Sequence, residues 1–223
     1  MIDVLFLPKH ISHGKVCVVV DVLRATSTIV TALANGAKSV IPVASVAQAK
    51  RMKGEDILIC GERNGIKPKG FHLGNSPQEY FGVKGKEIVL TTTNGTRAIS
   101  MINSQNIYAS CFLNLHATVD QLRGHEHVTV VCSGQEGKVA YEDVLCAGAL
   151  VYELGRNDLT DGAKIVKQFW KQVKNMELSA LLLESQHAEE LIEHNFLSDI
   201  EFCAQVDLYN IVPFFRQNRF IIT

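Results

Sequence analysis

The run Lys15-Val16-Cys17-Val18-Val19-Val20-Asp21, continuing into Val22-Leu23-Arg24-Ala25-Thr26-Ser27-Thr28, decides how the rest of the chain is read. Four valines around a cysteine, bounded by a lysine and an aspartate, are the mark of a short strand buried on both faces. Over 23–34 the apolar residues recur at helical spacing and stop at Asn35-Gly36, a helix terminator. The stretch therefore predicts strand, turn and helix, with polar groups gathered at the strand tip. The same alternation continues. Strands are expected over 39–43, 57–60, 87–92, 106–109 and 129–132. Helices are expected over 46–52, 96–103, 115–122, 141–154, 161–170, 177–184 and 185–194, with a single turn at 77–81. Residues 197–205 read either way, and 212–223 is apolar and partly extended. This pattern is the α/β class: one domain over 1–223 around a mostly parallel sheet covered on both faces, with ligands expected outside the carboxyl ends of the strands.

Composition removes several functional classes. With 47% hydrophobic and 20% charged residues over 223 positions, the chain can bury a sizeable core and is not disordered. No apolar run reaches the roughly 18 residues of a membrane span, and the first residues lack the pattern of a signal peptide, so a cytosolic protein without a membrane partner is expected. A net charge of −1 gives no case for nucleic acid. The charge is uneven: residues 1–111 carry 13 Lys+Arg against 7 Asp+Glu, and 112–223 carry 9 against 16. A positive first half suits a small anionic ligand; acidic solvent faces on the late helices are the plainer explanation. The six cysteines form no C-x-x-C pair and sit in apolar runs, so neither a disulfide framework nor a zinc site is expected.

The polar residues recur at strand ends. Asp21 leaves the first strand, and Arg24, Thr26, Ser27 and Thr28 open the helix after it, where free N–H groups and hydroxyls can receive an anion; a simple helix cap with a surface arginine is the alternative. Gly61-Glu62-Arg63-Asn64-Gly65 places opposite charges in a tight turn, and an ordinary turn with a salt bridge reads equally. Thr91-Thr92-Thr93-Asn94-Gly95-Thr96-Arg97 resembles a second anion cradle in design, without a Walker A pattern. Cys132-Ser133-Gly134-Gln135-Glu136-Gly137-Lys138 can form a backbone nest, with Glu142 and Asp143 at the next helix start. Oxygen ligands from Asp21, Glu62 and Asp143 would suit Mg²⁺, which takes few carboxylates and keeps water. Cys132 and Lys138 imitate a cysteine-phosphatase loop with Lys for Arg, but a strand-end cysteine packed in the core fits better. His187, in a helix beside acids, reads as a surface residue. His10, His13 and His72 could line a cleft, though nothing in their spacing says so.

Together, V-D-V-L-R-A-T-S-T at 20–28, G-E-R-N-G at 61–65, F-H-L-G-N-S-P at 71–77, T-T-T-N-G-T-R-A at 91–98 and C-S-G-x-x-G with Glu142-Asp143 resemble the 2-phosphosulfolactate phosphatase family over nearly the whole chain. Ser185-Gln186-His187 and Cys203-Ala204-Gln205-Val206-Asp207 add to the likeness. The resemblance implies a three-layer α/β/α fold around a mixed sheet. It also implies a Mg²⁺-dependent phosphatase that converts 2-phospho-3-sulfolactate to 3-sulfolactate and phosphate, a step of coenzyme M synthesis in methanogens. On that basis Asp21, Glu62 and Asp143 hold Mg²⁺ directly or through water. Thr26, Ser27, Asn94, Gly95, Thr96 and Arg97, with Ser133 and Gly134, cradle phosphate or sulfonate. Arg24 and Arg63 neutralise the remaining charge, and Glu142 or a metal ligand activates water. An aspartyl-phosphate on Asp21 is a rival, although D-x-D is absent. A phosphatase of another phosphorylated hydroxy acid and a non-catalytic small-anion-binding protein are the other readings. Phe214-Phe215 hints at a homo-oligomer interface, and core packing explains it equally well.

Overall fold

In a computed structural model of the chain, residues 1–11, 16–104 and 106–222 are described. The first part runs β1 (Ile2–Leu5), β2 (Val16–Val20), α1 (Ala25–Ala34), β3 (Ser39–Pro42), α2 (Val46–Arg51), β4 (Ile57–Gly61), β5 (Glu87–Thr91), α3 (Gly95–Ser100) and β6 (Asn106–Ser110). It continues α4 (Leu115–Leu122), β7 (Val128–Cys132), α5 (Tyr141–Glu153), α6 (Asp161–Val173), α7 (Leu178–Leu183), α8 (Gln186–Glu193), α9 (Leu197–Cys203), β8 (Phe214–Arg216) and β9 (Arg219–Ile221). The ambiguous 197–205 segment is helical, and Pro77–Tyr80 forms the expected single turn. The Lys15 end of the first predicted strand, and His13, lie outside the described residues.

All the strands join one mixed sheet in the order β1-β7-β2-β6-β8-β9-β3-β5-β4. The first four are parallel to one another, and so are the last three. The β8–β9 hairpin lies between the two sets and pairs antiparallel to β6 on one side and to β3 on the other. The sheet is thus mixed because of three-residue strands that the sequence read only as partly extended. Period-two alternation then builds the layers. Cys17, Val19, Ile107, Phe220, Val40, Ile88 and Leu90 share one face with Ile29 and Leu33 of α1 and Ala98 and Ile99 of α3. Val18, Val20, Val130 and Val4 point the other way, into a core shared with α5 and α6, while Ile41 and Val89 meet α2. This is the α/β/α architecture. Phe214 and Phe215 belong to it: Phe214 stacks on Tyr108 at 5.3 Å and Phe215 on Phe220 at 5.0 Å.

Helix α1 is buried along every residue from Ala25 to Leu33 because the sheet covers one side of it and the Pro77–Tyr80 turn covers another. The 61–77 loop is ordered work for an edge strand. His72 N donates to Ile59 O (2.8 Å) and Gly61 N to Leu73 O (3.2 Å), sealing β4. Segment 158–160 does the same for β1 through Ile2 N to Asp158 O (2.9 Å). Across the hairpin, β3, β5 and β4 run opposite to the other parallel set. A twist of roughly 20–25° per neighbour accumulates past a right angle between β2 and β5, and the carboxyl tips of both sets meet over the helical layer. Contacts across that junction include Asn94 Nδ2 donating to Gln135 Oε1 at 2.6 Å and Arg24 donating to Gly65 O at 3.1 Å.

Candidate active site

Each anion cradle expected from the sequence is filled by one of the protein's own carboxylates. At the tip of β2, Asp21 Oδ1 accepts from Ala25 N, the first residue of α1, at 2.9 Å. Thr26 Oγ1 donates to Asp21 O (2.8 Å) and accepts from Asp21 N (3.0 Å), and Ser27 Oγ donates to Val22 O (2.7 Å). Both hydroxyls brace the turn through these bonds. At the tip of β7, the nest of Ser133 N and Gly134 N donates to Asp143 Oδ2, each at 3.1 Å, while Val22 N donates to Asp143 Oδ1 at 2.9 Å. In the other half of the sheet, Glu62 accepts from Thr93 N at 2.6 Å and from Gly65 N at 2.9 Å, tying the β4 turn to the β5 tip. Asp143 and Glu62 therefore hold loops in place with both of their oxygens.

The arginines are placed differently from one another. Arg24 is buried, donates to Asp199 Oδ2 at 2.5 Å and lies 4.2 Å over the Phe196 ring. Arg63 donates to Glu62 O (2.6 Å), Thr91 Oγ1 (2.6 Å) and Ala44 O (3.1 Å), fastening its own turn. Arg97 is exposed on α3. Asn94 bridges to the β7 turn, Thr96 Oγ1 donates to Thr92 O (2.7 Å), and Gly95 sits where a Cβ would come 2.6 Å from Ala25 Cβ and 2.8 Å from Asp21 Oδ2. Only a glycine lets α3 approach Asp21 this closely. Of the sequence-predicted residues, the structure thus brings Asp21, Glu62, Arg24 and Asn94 to the lining of one recess, keeps Glu142, Asp143 and Gly95 near Asp21 without converging on it, and uses Thr26, Ser27, Arg63 and Thr96 in bonds within the fold.

His187 is the main correction. It is not a free surface residue: its Nδ1 lies 3.0 Å from Glu142 Oε1, and its side chain is 17% exposed at the mouth of the site. The acids beside it in sequence suggested solvent, whereas its partner lies 45 residues away on α5. Ser185, whose Oγ accepts from Ala188 N (3.0 Å), starts α8 and sets the direction in which His187 points. Cys132 is buried, and its thiol is pushed well above the ordinary range by burial and by the Asp143 and Glu142 charges, so it is a core residue without a thiolate. His72 caps the β4 edge, accepting from Ile59 N at 2.9 Å, and His10 is exposed.

Asp21, Glu62, Asn75 and His187 line a recess of about 20 Å³, and Asn64, Thr93, Asn94, Gln135, His187 and His194 line a cleft of about 190 Å³ beside it. The recess has room for one water-sized group. Burial raises the Asp21 carboxyl to about 6; the Ala25 N–H and His187 work against the shift, and Glu142 and Glu62 add to it. Asp143 is also raised, by burial first and then by Asp21 and Glu142. Burial opposes the charged form of His187, yet the Glu142 contact together with the Asp21 and Glu190 charges makes the net shift upward. Among the described residues no three His, Cys, Asp or Glu side chains close on one point as a protein-only metal site requires. Asp21 Oδ2 nevertheless accepts no hydrogen bond among the described residues, and Glu142 Oε2 is buried without a partner. Two free carboxylate oxygens fit Mg²⁺, which is bound through one or two carboxylates, water and substrate phosphate oxygens. Ser133 Oγ after the β7 tip and Glu142 Oε2 at the start of α5 are buried without a partner among the described residues, which fits a group supplied from outside the fold.

Residues 5–218 match the family model described as 2-phosphosulpholactate phosphatase. A protein of Pseudothermotoga lettingae named probable 2-phosphosulfolactate phosphatase is 71% identical over 99% of this chain and 98% of its own length. A protein of the same name from Thermotoga maritima is 50% identical over 100% and 98%, and one from Clostridium perfringens 37% identical over 98% and 94%. The match spans both halves of the sheet and every loop that carries the buried carboxylates, so the chain belongs to the 2-phosphosulpholactate phosphatase family.

Proposed function

We propose that this chain hydrolyses 2-phospho-3-sulfolactate to 3-sulfolactate and phosphate, with Mg²⁺ as cofactor. The observation that carries the reading is the set of buried carboxylates at the joined strand tips, two of which keep a free oxygen. A site of this charge repels a substrate bearing phosphate, sulfonate and carboxylate unless a cation stands between them. Asp21 and Glu142 would hold that cation, and any contact of Glu62 or Asp143 with it would run through water. Mg²⁺ there supplies positive charge to the phosphoryl oxygens and acidifies bound water. The chain's own part is positioning. Asp143 and Glu62 fix the loops, and Glu142 sets the imidazole of His187 by its Nδ1 so that the other ring nitrogen can meet the substrate. Asn64 and the second amide N–H of Asn94 and of Gln135 would offer donors to the rest of the molecule in the cleft, while the Thr93 hydroxyl is held by Glu62.

A reducing, cytoplasmic setting is supported by six buried cysteines, none of them in a disulfide among the described residues. The product would enter coenzyme M synthesis or another route to sulfonates. The direct test is phosphate release from synthetic 2-phospho-3-sulfolactate, with Mg²⁺ and with EDTA, beside phospholactate and phosphoglycerate. Release that is lost in EDTA and prefers the sulfonated compound is the expected result. Equal turnover of all three would assign a broader phosphatase of hydroxy-acid phosphates. No release from any, with binding intact, would leave an anion-binding protein.

A further inference from the structure

One buried side-chain amide beside the carboxylates has no partner among the described residues. Asn75 is 5% exposed and stands at the end of the loop that seals β4. Its main chain is held from two directions. Thr28 Oγ1 in α1 donates to Asn75 O at 2.8 Å. The next residue, Ser76, donates its Oγ to Asp199 Oδ1 at 2.6 Å, and Asp199 in turn receives Arg24 at 2.5 Å. The side chain has no such anchor. Asn75 Oδ1 is buried without a partner. The amide nitrogen makes no hydrogen bond among the described residues and is not sealed off as Oδ1 is, so it is the end of the amide that opens on the recess. A rigid backbone with an unused donor at its tip is a preorganised group.

That donor faces a space of about 20 Å³ shared with Asp21, Glu62 and His187, which admits one oxygen and not a whole phosphate. We propose that Asn75 is a catalytic residue of the transfer: its amide nitrogen donates to one phosphoryl oxygen seated in the recess, and the bond tightens as charge gathers on the equatorial oxygens. The inference rests on the hydrolytic reading above. In the step, the oxygen of water bonds to phosphorus and the bond from phosphorus to the C2 oxygen breaks. One proton of the water stays on the released phosphate and the other ends on the product hydroxyl. Asn75 exchanges no proton; it only holds the oxygen that carries the charge.

The test compares Asn75→Ala and Asn75→Asp with the parent enzyme by kcat and KM, per folded molecule as judged by circular dichroism. Loss of one oxyanion donor lowers kcat by about 10²–10³-fold, so Asn75→Ala should fall by that factor with KM changed by less than about threefold. Asn75→Asp keeps the shape and removes both N–H donors, and should be no more active than Asn75→Ala. An Asn75→Ala enzyme with normal kcat overturns the inference. An Asn75→Asp enzyme that keeps parental kcat overturns it too, because the needed atom would then be an acceptor. If the parent protein turns over and the variants also do, this inference fails alone. If the parent releases no phosphate from any of the three compounds, the hydrolytic reading fails and takes the inference with it.

Discussion

Asp21 and Asp199 are both buried carboxylates, yet their surroundings assign them opposite uses. Asp199 receives Arg24 on one oxygen and Ser76 on the other, so its valences are filled inside the protein. Asp21 keeps Oδ2 free beside Gly95. Replacing Asp21 with Asn should therefore leave the fold intact and cut turnover by at least about 100-fold, measured as phosphate release at saturating substrate. Replacing Asp199 with Ala should do the reverse first. It leaves the Arg24 guanidinium buried without its counter-charge, a loss of about 3–5 kcal/mol, read as a lower urea midpoint. The double variant Arg24→Met, Asp199→Leu should recover part of that stability. Asp21 could be recognised from its place at a strand tip. The use of Asp143 and Glu62 as loop anchors could not, because the Val22–Asp143 bond spans 121 positions and local pattern carries no trace of it. His187 was hidden for the same reason: its neighbours in sequence are acids that face water, and its partner is on another helix.

Elements with strong periodicity stand where the sequence puts them. The β-branched runs became β2, β3, β5 and β7, and α1 ends at the Asn35-Gly36 stop. What escaped were short pieces whose order comes from distant pairing. β1 has four residues, and β8 and β9 have three each, too few for alternation to be counted. Helix α4 shows how such distant contacts finish an element. Its start is capped from the far end of the chain: Asp207 Oδ1 accepts from His116 N at 2.7 Å, and its other oxygen meets the His116 ring. The Asp207 hydrogen bond raises the His116 pKa, burial opposes it, and the charges of Asp207, Glu153 and Asp120 add to the rise. A folded-state pKa raised above the unfolded value adds stability that is fully present below the unfolded value, roughly 6.5, and is lost as pH rises through the folded one. The urea midpoint should therefore fall slightly from pH 6 to pH 8 in the parent protein, and this component of the slope should vanish in His116→Gln. An unchanged slope in that variant would remove the pair from any role in pH dependence.

At the scale of the whole molecule, the hairpin at 214–221 is the seam between two parallel sets of strands that otherwise share only helices and loop contacts. The site is built across that seam, with Asp21, Glu142 and Asp143 on one side and Glu62, Thr93 and Asn94 on the other. Ending the chain after residue 211 should leave one edge of β6 and one edge of β3 unpaired, with β2 and β5 still on their other sides. The expected result is insoluble or partly folded protein without phosphatase activity; a truncated chain with native circular dichroism and full turnover would show that the helices suffice to hold the halves together. The seam also sets a timetable. All seven strands it connects or supports precede it in sequence, so on the ribosome the inner edges of both half-sheets emerge bare. At about 5–20 residues per second, the 104 positions from the end of β6 to the start of β8 keep those edges waiting for roughly 5–20 seconds. During that interval each newborn chain carries two open strand borders that could zip onto a neighbour's, and its dependence on chaperones should be greatest then.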